Sequence, residues 1–137
     1  MRRLIDALRP AALDQQGLAA AIGQHAIAYT PGLTVSVEGD PQDLGAAVET
    51  AAYRIAVEAM TNAVRHAGAR TCAVTLSRAG DTLEVVIVDD GHGRGDRPDG
   101  VGIAAMRERA EELGGSLTVD DCPGCRVRAV LPLGRPA

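Results

Sequence analysis

Glu58 and Asn62 lie four residues apart in a run, 51–67, whose apolar residues recur at helical spacing. At about 100° per residue their side chains leave the same side of the helix one turn apart, with Arg54 and His66 extending the row at either end. A carboxylate in that row can accept a proton, and a carboxamide oxygen can bind a hard cation. The same row would also suit a solvated helix face. Ile55 and Ala59 lie beside it, however, so Asn62 and His66 fall at the edge of the apolar face, where a partly enclosed site can form.

Further along, the strand-like run 83–88 ends in Asp89-Asp90-Gly91-His92-Gly93. A carboxylate drawn into an apolar setting is costly unless a donor meets it. The amino group of adenine is such a donor, and glycine lets a base approach the backbone. Gly100-Val101-Gly102 then opens a helical run, 101–113. Backbone N–H groups at a helix start, with the helix dipole behind them, favour phosphate. Asp-Gly is also an ordinary turn, and G-x-G an ordinary loop-to-helix junction. In this fixed order the three groups suit a nucleotide site with a magnesium ion.

The elements that must position these groups follow from periodicity and turn chemistry. Helices are expected over 18–28, 46–67 and 101–113, the last stopped by Gly114-Gly115. Strands are expected over 33–38, 71–76, 83–88, 116–119 and 126–131, with Ala79-Gly80-Asp81 turning the second into the third. A short helical fragment, 1–9, would stop at Pro10. Residues 91–100, rich in Gly and Asp and with no apolar side chain, read as a flexible loop. Helices on one face of a mixed, mostly antiparallel sheet make a two-layer α/β sandwich.

Composition narrows the function. The chain has 137 residues, enough for one domain. It has no Phe or Trp and only two Tyr, so it lacks a stacking platform for single-stranded nucleic acid. All 14 basic residues are Arg, which removes Walker-A phosphate binding and Schiff-base chemistry, since both need an amine. A net charge of −4 argues against nonspecific DNA or an anionic membrane surface as partner. No apolar stretch approaches a membrane span and no signal-peptide pattern opens the chain, so the expected compartment is cytoplasmic. Cys72, Cys122 and Cys125 do not make a disulfide framework, and Cys122-Pro123-Gly124-Cys125 reads as a tight turn between two strands.

The run Tyr53-Arg54-Ile55-Ala56-Val57-Glu58-Ala59-Met60-Thr61-Asn62-Ala63-Val64-Arg65-His66-Ala67 resembles the catalytic, ATP-binding domain of bacterial two-component sensor histidine kinases, above all the nitrate-sensor-like subfamily. That domain belongs to the gyrase, chaperone, histidine kinase and mismatch-repair ATPase superfamily. Asp89-Asp90-Gly91-His92-Gly93, then Gly100-Val101-Gly102-Ile103-Ala104-Ala105-Met106-Arg107-Glu108-Arg109, Leu113-Gly114-Gly115 and Val130-Leu131-Pro132 continue the likeness across nearly the whole chain. The resemblance implies phosphoryl transfer from Mg-ATP to a histidine on a dimerisation segment, and then indirectly to a response regulator. Glu58 would take the imidazole proton, Asn62 would hold magnesium and Asp89 would read adenine. Gly91, Gly93, Gly100 and Gly102 would shape the pocket and a short lid, 93–100, with Val101 and Ile103 beside them and His66 near the phosphates.

Residues 1–17 would then be a linker remnant from the dimerisation helices, 18–134 the ATP-binding domain and 135–137 a tail. No nucleic acid and no direct membrane contact are expected. This chain departs from the family in two ways. Cys125 stands where the family usually has a Thr that helps hold adenine through water, and a thiol is a poorer hydrogen-bond partner. The phosphoaccepting histidine is also expected to lie outside this chain. Two rival readings stay open: an anti-sigma-factor serine kinase, which shares the first two motifs, and a regulatory pseudokinase module that transfers nothing.

Overall fold

The structure, a computed structural model, describes residues 11–92, 100–122 and 124–133. The expected fragment 1–9, Gly93 with most of the expected lid, and the tail 135–137 lie outside the described residues. The helices are α1 (Ala11–Gln16), α2 (Leu18–Tyr29), α3 (Ala46–Arg65) and α4 (Val101–Glu112). The strands are β1 (Thr34–Glu38), β2 (Thr71–Ala79), β3 (Thr82–Asp89), β4 (Ser116–Cys122) and β5 (Gly124–Pro132).

The strands form one sheet in the order β1-β2-β3-β5-β4. β1 runs parallel to β2, and the other pairings are antiparallel. Alternation does what it should: Cys72, Val74 and Leu76 of β2 and Leu83, Val85 and Ile87 of β3 are buried, while the residues between them are not. That face packs on the helices in a single core. The expected two-layer sandwich is therefore the observed fold. With no Phe or Trp in the sequence, the buried face of α3 is built largely from Ala51, Ala52, Ala56, Ala59 and Ala63. Small side chains let the helix lie close, and Ile55 and Met60, both fully buried, supply the larger anchors.

The element ends have local causes. β2 and β3 are joined at Ala79↔Thr82 by Gly80-Asp81, with Gly80 at φ +60°. At the end of α4, Gly115 N–H donates to Ala110 O and Gly114 N–H to Glu111 O, both at 2.9 Å, with Gly114 at φ +83°. This is a Schellman stop, and it is why Gly114-Gly115 terminates the helix. β2 and β4 run three residues beyond their expected ends, in β2 because exposed residues such as Ser77 and Arg78 still pair through the backbone. α1 falls in the stretch expected to be linker. Six residues are too few to show a helical period, yet Leu13 is buried at 3% exposure.

Candidate functional site

Glu58 and Asn62 project from the outer half of α3, both half-buried, toward the first turn of α4. Gly100 occupies the N-cap position of α4, and among the described residues no side chain caps that helix start. The first backbone N–H groups of a helix and the positive end of its dipole suit an anion. The two helices come very close here. A Cβ at Gly102 would collide with Glu58 Oε2 and would stand 3.4 Å from Asn62 Nδ2. Only glycine at 102 leaves the carboxylate where it is. At Gly100 a Cβ would meet nothing within 4 Å among the described residues, so the two glycines are not equivalent.

Between α3, the start of α4 and the ends of β3 and β5 lies a cavity of about 500 Å³. Glu58, Asn62 and His66 line one side of it, Gly100, Val101, Gly102 and Ile103 another, and Asp89 and Cys125 the base. Nine expected site residues are thus brought together. Val101 is 88% exposed, so it edges the opening rather than the interior. His66 is exposed too, and as the C-cap of α3 its N–H is tied to Asn62 O at 2.9 Å.

Asp89 ends the central strand β3 and is only 8% exposed. Its Oδ1 accepts from Gly91 N–H at 2.9 Å and from Cys125 N–H at 3.3 Å. Two backbone donors hold the carboxylate by one oxygen and aim it into the cavity, so the burial that would be costly for a bare charge is offset. Asp90, its neighbour, does something else. It is exposed, and its Oδ1 accepts from Arg70 N–H at 2.8 Å and Thr71 N–H at 2.9 Å, which pins the start of β2. Those two bonds hold its pKa below the usual carboxylate value.

Gly91 does not line the cavity. A Cβ there would strike the Cβ and carbonyl oxygen of Ala67, and the adjacent His92 N–H donates to that carbonyl at 3.1 Å. Its missing side chain lets the loop after β3 pack on Ala67 at the end of α3, and its N–H holds Asp89 at the cavity base. Gly93 lies outside the described residues. The apolar wall was missed altogether. Ala59, Ile87, Met106 and Val127 line the cavity, and their periodic spacing reads as core. Ile87 had a detectable signal, since it stands two residues before Asp89 on the same face of β3. Cys72 lies next to Asp89 across the β2–β3 ladder. Burial, and then the nearby Asp89, Asp90 and Cys125, push its thiol up to about 12, so it stays protonated.

Among the described residues no cluster of three or more His, Cys, Asp or Glu is placed to hold a metal. A cavity of nucleotide size, with an anchored carboxylate at its base and an open helix start at its mouth, still fits a nucleoside triphosphate that brings its own cation. The family described as "Histidine kinase-, DNA gyrase B-, and HSP90-like ATPase" matches residues 47–135. The chain belongs to that family. It is similar to the sensor histidine kinase YxjM of Bacillus subtilis, with 39% identity over 113 residues, 81% of this chain and 26% of YxjM. Among solved structures it is similar to the histidine kinase domain of the blue-light activated histidine kinase EL346 from Erythrobacter litoralis, at TM-score 0.72 and 26% identity over 85% of this chain and 65% of that one. The ATP binding domain of PrrB from Mycobacterium tuberculosis aligns at TM-score 0.67 and 26% identity over 88% of this chain and 92% of that one. The chain is accordingly an ATP-binding catalytic domain of the sensor histidine kinase type, spanning about a quarter of the length of YxjM.

Proposed function

We propose that this domain moves the γ-phosphoryl group of Mg-ATP onto a histidine of a separate dimerisation segment, from which it passes to a response regulator. The observation that carries this reading is the contact of Glu58 with Gly102: a base lies against the helix start suited to phosphate. Asp89 would accept a hydrogen bond from the adenine amino group, with Ile87, Met106 and Val127 packing on the ring. The phosphates would meet the N–H groups at the start of α4, with His66 beside them. Asn62 would hold magnesium. Magnesium keeps water and phosphate oxygens as ligands and needs only one or two protein groups. When bound, the ion neutralises charge that builds up on the phosphoryl oxygens.

In such transfer the protein mainly positions the partners, and Glu58 would take the proton that the attacking imidazole must lose. Cytoplasmic location follows from the nucleotide and the regulator; no helix among the described residues is long and apolar enough to cross a membrane. Assignment to the nitrate-sensor-like subfamily rests on the run from Tyr53 to Ala67.

The test is a chimera in which this chain replaces the matching region of YxjM. With labelled ATP and magnesium the chimera should carry acid-labile label, and Glu58→Gln should lower it by about 10²–10⁴-fold. Acid-stable label would point instead to serine phosphorylation. ATP binding without any label would support the pseudokinase reading and overturn this one.

A further inference from the structure

Asp89 is anchored through one oxygen by donors from two distant parts of the chain. Gly91 N–H reaches Oδ1 from two residues on, and Cys125 N–H reaches it from the start of β5. The first bond is local. The second, at 3.3 Å, requires β5 to begin hard against the end of β3. Gly124, the first residue of β5, is buried at that junction. A Cβ there would strike the carbonyl oxygen of Asp89, and would stand 2.8 Å from its carbonyl carbon and 3.0 Å from Oδ1 itself. That carbonyl is backbone in a strand paired with β2 through Cys72, so it cannot swing aside as the end of a long side chain would. Gly124 is not among the glycines with positive φ, so space rather than backbone conformation excludes a side chain here.

We propose that Gly124 is a positioning residue for base recognition: the missing side chain at 124 lets Cys125 N–H reach Asp89 Oδ1, and so aims the carboxylate at the amino group of adenine. The inference rests on the reading of Asp89 as the adenine acceptor and adds the residue that directs it. Gly124 itself is not part of the cavity lining, whereas Asp89 and Cys125 are, so its effect passes through Asp89. The Cys125 bond has little slack, because 3.3 Å is already beyond the usual N–H···O range of about 2.7–3.2 Å. A methyl group at 124 forces β5 and the end of β3 apart, and that bond is lost. The carboxylate then keeps only the Gly91 donor and is free to turn. Guanine presents a carbonyl oxygen where adenine has its amino group, so it gains nothing from a well-aimed carboxylate. Gly124 therefore matters for ATP and not for GTP. The other two tightly packed glycines of the site make room for different partners, Gly102 for Glu58 and Gly91 for Ala67.

Calorimetric titration of this chain with ATP and with GTP, each with magnesium, tests this. Gly124→Ala should weaken ATP binding at least about fivefold and change GTP binding by less than about twofold. A general loosening of the fold would weaken both nucleotides alike. In an Asp89→Ala background the same substitution should weaken ATP binding by less than about a further twofold, since the group it aims is gone. A second pair of variants removes the donor without crowding the carbonyl. Cys125→Pro deletes the N–H and should lower the preference for ATP over GTP at least about fivefold. Cys125→Ala removes only the thiol and should keep that preference within about twofold. Should Gly124→Ala fail to fold, the Cys125 pair decides. Equal losses for the two nucleotides in Gly124→Ala, or a full preference retained in Cys125→Pro, would overturn the role of Gly124 and leave Asp89 in the base site. No preference for ATP in the unmodified chain would remove Asp89 from that site, and this inference with it.

Discussion

The larger cavity that Glu58 lines has an aliphatic wall of Ala59, Ile87, Met106 and Val127, a carboxylate at its base held by backbone N–H groups, and a glycine-capped helix start at its opening. A second cleft of about 380 Å³ that Glu58 also lines gathers His25, Tyr29, Tyr53, Arg54 and Arg109, and the polar contact there, Tyr53 to His25, runs between side chains. Backbone donors are rigid and carry partial charge, which suits a small ligand of fixed shape. Side-chain rings and guanidinium groups turn about rotatable bonds and are held less rigidly. Four residues along one side of α3 and its C-cap are divided between the two: Arg54 lines the cleft, Asn62 and His66 the larger cavity, and Glu58 both.

The largest expected effect that would sharpen this contrast belongs to Asp89. A hydrogen bond to a charged group contributes about 1.5–3 kcal/mol, so Asp89→Ala should weaken ATP binding by roughly 10- to 150-fold. The wild-type chain should prefer ATP over GTP by at least about tenfold, since the carboxylate would face the guanine carbonyl. Calorimetric titration with both nucleotides measures each, and equal affinities would take Asp89 out of the base site. The aromatic cleft should be indifferent to this change.

Next comes the pair of glycines. Gly102→Ala should displace Glu58 and slow phosphoryl transfer by about tenfold, because small displacements of a reacting group are costly. Gly100→Ala meets nothing within 4 Å among the described residues, at an extended φ of −86°, and should have a far smaller effect. Comparable losses in the two variants, read from labelling rates of the chimera, would mean that the close approach to Glu58 is not what matters.

The smallest effect concerns Cys125, whose N–H holds Asp89 while its side chain joins the cavity lining. Cys125→Thr should tighten ATP binding by up to ~1 kcal/mol by restoring a hydroxyl for a water-mediated contact with adenine. Unchanged or weaker binding would mean that position 125 serves the site through its backbone alone.

Much of this was legible in the residues. Glu58 and Asn62 at four-residue spacing, a strand ending in Asp89 and a helix opening at Gly102 are patterns of one dimension, and helix and strand geometry convert them directly into shared faces and facing ends. The alternation of β2 and β3 and the stop at Gly114-Gly115 are local in the same sense. What only the tertiary structure decided depends on contacts between distant segments. Asp89 and Asp90 are chemically identical, and which one serves the cavity is settled by whether Cys125 or Arg70 and Thr71 donate to it. Gly91 and Gly102 look alike in the sequence, yet one is required by Ala67 and the other by Glu58. The aromatic cleft draws His25, Tyr53 and Arg109 from three helices, and no local period can announce a surface that exists only after those helices pack.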